Sequence, residues 1–153
     1  MIHHLLIGIS GLVLLWGEYK KSLLLRYVFK PLTIFLIVLI PLTHFKFDDQ
    51  FLIWIIAALM LSMIGDTCLM FEKGFLPGLL AFLFGHLAYA AAFTSVSGVQ
   101  TTYLPLILLI PAALLLYNWL KPGLGKLKLP VLVYMLVISI MGWQAWGIYF
   151  QHP

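Results

Sequence analysis

With 153 residues, 63% of them apolar and 9% charged, this chain cannot cover a water-facing surface, because a soluble domain carries about a quarter charged residues. Lipid is therefore its solvent, and a water-soluble enzyme or a nucleic-acid-binding module is excluded. The net charge of +4 serves membrane orientation, since the Lys and Arg residues fall almost entirely in short connections between apolar runs.

The expected fold is all-α: one polytopic transmembrane helix bundle over residues 1–153 with about six spans. A membrane helix needs roughly 17–25 mostly apolar residues. The first span, residues 2–19, has a short apolar centre with His3, His4 and Glu18 at its edges. It does not read as a cleavable signal, because no basic segment precedes it and no small-residue cleavage site follows. The second covers 27–42 and places Lys30-Pro31 near its start. A proline at a first helical position gives up no hydrogen bond that the helix would have made. Spans at 51–71, 75–93, 103–120 and 129–150 follow, each bounded by charge, Gly, Pro or polar residues. Cys68 is the only cysteine, which excludes an intrachain disulfide.

Basic residues set the orientation. Lys20, Lys21 and Arg26 lie in the first connection, Lys73 in the third, and Lys121, Lys126 and Lys128 in the fifth. The other side has Lys46 alone, offset by Asp48 and Asp49. The expected topology puts connections one, three and five in the cytoplasm and both termini outside, in a bacterial inner membrane.

A few polar residues fall where lipid should not tolerate them. Asp66 sits about five residues from the cytoplasmic end of the third span, where a carboxylate must face protein, water or a partner. It reads as a structural carboxylate or as a proton-transfer group. Ser62 lies one turn back on the same face. Lys30 enters at a similar depth, either as a snorkelling anchor, as a partner for Asp66, or as a cation for a lipid phosphate. His86 falls near the midplane of the fourth span, as a packing residue or as a site residue, with Tyr89 one turn on. Tyr134, early in the sixth span, is expected to face one interior cavity with Asp66 and Lys30. Gly74, Gly78, Ala81 and Gly85 mark a close-packed helix interface. The sequence contains no zinc spacing, Gly-rich phosphate loop or G-x-S-x-G elbow, which argues against a metallohydrolase or a serine lipase.

Four segments in order resemble the YhhN family, the lysoplasmalogenases. They are Val28-Phe29-Lys30-Pro31-Leu32-Thr33, Ser62-Met63-Ile64-Gly65-Asp66, Phe82-Leu83-Phe84-Gly85-His86-Leu87-Ala88-Tyr89, and Pro130-Val131-Leu132-Val133-Tyr134 through Trp143. The resemblance implies a membrane hydrolase that cleaves the vinyl ether bond of a lysoplasmalogen to a fatty aldehyde and a glycerophospho-ethanolamine or -choline. It implies a catalytic Asp66 and His86, with Lys30, Tyr134, Ser62 and Tyr89 on the lipid substrate, and no metal or other cofactor. The family pattern has about eight spans and a second intramembrane Asp in the seventh, and the expected six spans offer no counterpart. The residues alone leave two other readings open. One is a small transporter or proton channel with Asp66 and His86 as a relay, and the other is a non-enzymatic membrane protein.

Overall fold

The structure, a computed structural model, describes residues 2–43, 46 and 48–151. Residues 1, 44, 45, 47, 152 and 153 of the expected domain lie outside them. The described residues form α-helices and short 3-10 turns with no sheet: α1 (Ile2–Tyr19), α2 (Leu23–Thr43), α3 (Gln50–Cys68), α4 (Phe75–Ser97), α5 (Leu104–Leu120) and α6 (Lys128–Gln151). The 3-10 turns Lys121–Gly123 and Gly125–Leu127 join α5 to α6. Helices α2 to α6 are each long and apolar enough to cross a membrane, counting the adjoining 3-10 residues of α5 and α6. The protein is a polytopic membrane helix bundle.

Local chemistry sets the ends. Helix α1 closes with Lys21 in the left-handed region (φ 53°), Lys21 N–H on the Glu18 carbonyl at 3.1 Å and Ser22 N–H on the Gly17 carbonyl at 2.9 Å. This pattern satisfies the last carbonyls of a helix and reverses the chain sharply. The Ser22 carbonyl then accepts from Arg26 N–H at 3.2 Å, so α2 begins at Leu23, a turn earlier than expected. Lys30-Pro31 is consequently inside α2 and not at its start, and Pro31 has no N–H to offer the preceding turn. Asp49 caps α3 by accepting from Leu52 N–H at 3.1 Å. Helix α3 stops at Cys68, short of the expected 71, because Met70 and Phe71 N–H bond the carbonyls three residues back. Helix α4 continues past 93 to Ser97, where Thr94 and Ser97 hydroxyls donate to carbonyls one turn back.

The helices pack as α1 on α2, α2 on α3, α3 on α4, α4 on α6 and α6 on α5, with α3 against α4 the most extensive seam. The interior is built of small residues: Ala58 on α3, and Gly78, Ala81, Gly85, Ala88 and Ala92 on α4, are all buried. Lipid offers no hydrophobic drive between helices, so close backbone approach and dispersion hold the seam. Large side chains point outward instead, with Leu115 72% and Trp119 77% exposed to what is hydrocarbon in the bilayer. Away from the basic connections, Gln144 on α6 ties down residues 98–103. Its Oε1 accepts from Gln100 N–H at 2.8 Å, while Trp143 Nε1 donates to the Thr102 carbonyl at 2.8 Å.

Candidate functional site

The basic end of the bundle gathers charge from three helices. The sharp turn after α1 swings α2 back alongside it, and Gly17 is where they meet. A methyl group there would lie 2.7 Å from Leu25 Cβ, so the approach depends on glycine. The hairpin brings Arg26 Nε to 2.8 Å from Glu18 Oε1. Lys30 follows Arg26 by four residues on α2 and so shares its face. Its Nζ lies 2.7 Å from Asp66 Oδ1 on α3, with the Lys30 and Asp66 side chains 32% and 22% exposed. Asp66 is only two residues from the last residue of α3, nearer the helix end than expected, because the chain turns at Cys68. Beside this pair is a cavity of about 100 Å³ with Glu18, Arg26, Tyr27 and Lys30 on its polar wall. The Tyr27 hydroxyl donates to the Met70 carbonyl at 3.0 Å and fixes that wall to the residues after α3.

The other polar residues occupy different seams. His86 Nδ1 lies 2.6 Å from the Phe82 carbonyl and donates to it. The imidazole meets the Tyr134 ring edge-on, with centroids 5.2 Å apart and planes at 84°. Tyr134 lines an apolar groove of about 240 Å³ between α4 and α6, with Leu79, Leu83 and Val133. Ser62 donates to the Ala58 carbonyl at 2.9 Å, and Tyr89 reaches its side chain across the α3–α4 seam.

The structure thus brings together Lys30 with Asp66, Ser62 with Tyr89, and His86 with Tyr134. It does not bring Tyr134 to the cavity of Lys30, contrary to expectation. Helix α6 packs on α4, on the far side of α3 from α2, so Tyr134 belongs to the next seam but one. Among the described residues no hydrogen bond, ion pair or ring contact joins Asp66 to His86 either. No group of three His, Cys, Asp or Glu side chains that could hold a metal converges among the described residues. The sequence reading missed Glu18, Arg26 and Tyr27 as site residues. Glu18 reads as an edge residue and Arg26 as an orientation charge, and only the α1–α2 hairpin makes them neighbours.

An Asp–Lys pair at a membrane helix end can hold or pass a proton, and the Arg26 guanidinium beside it has donors left for an anion. Comparison with known proteins gives that chemistry a setting. No solved structure matches the chain. The human lysoplasmalogenase TMEM86B is 38% identical over 89 residues, covering 57% of this chain and 38% of that protein. Its mouse counterpart is 35% identical over 100 residues, covering 61% and 42%. The Escherichia coli membrane protein YhhN is 30% identical over 140 residues, covering 90% of this chain and 66% of that protein. The chain therefore spans less than two thirds of the length of these relatives. The model of the YhhN family matches residues 25–152, a stretch that holds Lys30, Ser62, Asp66, His86, Tyr89 and Tyr134. This chain belongs to the YhhN family of integral membrane proteins.

Proposed function

We propose that this chain is a membrane hydrolase that cleaves the vinyl ether bond of a lysoplasmalogen. The products are a fatty aldehyde and a glycerophospho-ethanolamine or -choline. The observation that carries this reading is the 2.7 Å contact between Lys30 Nζ and Asp66 Oδ1, in a chain similar to lysoplasmalogenases.

Vinyl ether hydrolysis begins with a proton delivered to the vinyl carbon remote from oxygen. The electron pair of the double bond takes that proton and leaves an oxocarbenium ion. Water adds to the carbon bearing oxygen and loses a proton, and the hemiacetal collapses to aldehyde and a glycerol hydroxyl. The proton given to carbon stays there and the attacking water supplies another, so one carboxyl group serves as acid and then as base. Asp66, two residues from the end of α3, takes up its proton from the water at that end of the bundle, and Lys30 holds the carboxyl in place. The carboxylic acid then protonates the substrate. The restored carboxylate then faces the cation it has generated and accepts the proton of the attacking water.

His86, Tyr134, Ser62 and Tyr89 are positioning residues in this reading. They clamp α4 between α3 and α6 and so fix the turn of α3 that carries Asp66. The basic end faces the cytoplasm of a bacterial inner membrane, and the lipid enters sideways from that leaflet.

The test is aldehyde release from lysoplasmalogen by the purified protein. Asp66→Asn keeps the side-chain shape but cannot deliver or accept the proton. It should cost about 10²–10⁴-fold in rate, the usual worth of general acid–base catalysis. His86→Ala should cost less. No aldehyde from folded wild-type protein, or full activity in Asp66→Asn, would remove this reading.

A further inference from the structure

A second, more exposed ion pair lies beside the Lys30–Asp66 pair. Arg26 and Glu18 are 2.8 Å apart, and their side chains are 45% and 49% exposed. A surface pair of this kind is weakly held and yields readily to a ligand that brings its own charges. Both residues line the same cavity of about 100 Å³ as Lys30. One water needs about 10–15 Å³ of such space, so the cavity takes a polar group of several heavy atoms and not a whole lipid. Arg26 and Lys30 stand one helical turn apart on α2 and present two cations along one face. A guanidinium has five N–H donors and one carboxylate accepts two at most in a fork, which leaves donors for a second anion. The remaining wall is apolar, formed by Leu23, Leu69 and Met70. Leu23 and Leu69 are exposed, so the cavity opens onto apolar surface as well as onto charge.

We infer that this cavity is a subsite for a zwitterionic phosphodiester headgroup. Arg26 and Lys30 take the phosphate, Glu18 takes the ammonium, and the glycerol and chain leave across Leu23 and Leu69. A purely anionic headgroup leaves Glu18 facing the phosphate with nothing to offset it, so the Glu18 carboxylate is the element that selects. Arg26 and Lys30 lie within the residues 25–152 that match the family, whereas Glu18 precedes them, so the selecting carboxylate is not carried over from that match. The subsite rests on the hydrolase reading for its choice of a lysolipid as ligand.

Binding of uncleavable alkyl-ether lysolipids to the whole chain in detergent tests it. The phosphoethanolamine lysolipid should bind about tenfold more tightly than the phosphoglycerol one, the size of one charge-assisted contact. Glu18→Gln should bring that ratio close to one, and Arg26→Gln should weaken both ligands together. Circular dichroism should show both variants folded, since each side chain is about half exposed. A ratio near one in the wild type, or a ratio that survives Glu18→Gln, overturns the subsite. Inorganic phosphate that competes as well as the lysolipid also overturns it, as it reduces the cavity to a phosphate site. Because nothing is cleaved in this experiment, headgroup preference without aldehyde release removes the hydrolase and keeps the subsite. Aldehyde release without headgroup preference does the reverse.

Discussion

Asp66 illustrates how far a single residue can be read before its surroundings are known. A carboxylate inside an apolar span needs a partner, and that requirement alone selects Asp66 from the sequence. Partnering Asp66 is one of three readings that the sequence leaves for Lys30, and a contact of 2.7 Å shows that pairing. Distance in sequence hides such a pair, since its members are on different helices. Glu18 and Arg26 were hidden differently, by bland alternative explanations at each position. The energetic weight of the Lys30–Asp66 pair can be measured by a double-mutant cycle with Lys30→Met and Asp66→Asn. Both side chains are less than a third exposed, so the pair is only partly screened. A coupling of about 0.5–3 kcal/mol is expected from thermal unfolding in detergent, the range for residues in direct contact. The double variant should be less destabilised than the sum of the two single variants, because each single variant strands the other group. Additive single effects would show that the contact contributes nothing to folding.

Helix ends and seams were legible to different degrees. The stripe of Gly78, Ala81 and Gly85 on α4 packs onto α3, because small residues are what two helices need to approach closely in lipid. The ends of α2 and α3 were harder, since hydrogen bonds from Arg26, Met70 and Phe71 N–H decide them and apolar runs do not. The shift matters chemically: it moves Lys30-Pro31 into the body of α2 and Asp66 toward the end of α3. Two glycines, Gly65 in the α3–α4 seam and Gly8 on α1, give predictions of opposite sign. A methyl group at Gly65 would lie 2.8 Å from ring carbons of Phe82, whereas one at Gly8 would meet nothing within 4 Å. Gly65→Ala should therefore destabilise by about 1–3 kcal/mol, as overpacking does. Gly8→Ala should leave stability unchanged or raise it by up to about 1 kcal/mol, because Ala loses less backbone entropy in a helix. Thermal unfolding of the two variants in the same detergent decides it. A Gly65→Ala protein as stable as Gly8→Ala would mean the Phe82 ring yields freely.

At the scale of the molecule, composition fixes the solvent, while the order of helices is set by contacts no periodicity reveals. Spans that are apolar on every side do not announce which neighbour each face will meet, which is why α6 docks on α4 and carries Tyr134 away from Asp66. The sidedness of charge is legible in both sequence and fold. The α1–α2, α3–α4 and α5–α6 connections bring Lys20, Lys21, Lys73, Lys121 and Lys126 to one end, and the α2–α3 connection carries Lys46 with Asp48 and Asp49. Such a bias in short connections orients a membrane protein with its basic end in the cytoplasm. Cysteine labelling on intact cells checks this in a background with Cys68 replaced by Ala. Val99, in the α4–α5 connection and 70% exposed, is a better reporter than Gln100, which is 4% exposed and holds residues 98–103 to α6. A membrane-impermeant maleimide should label Val99→Cys on intact cells and Lys126→Cys only after the membrane is opened. Equal labelling of both from outside would overturn the orientation. It would also move the Lys30–Asp66 pair to the other leaflet, and with it the side from which a lipid could reach the site.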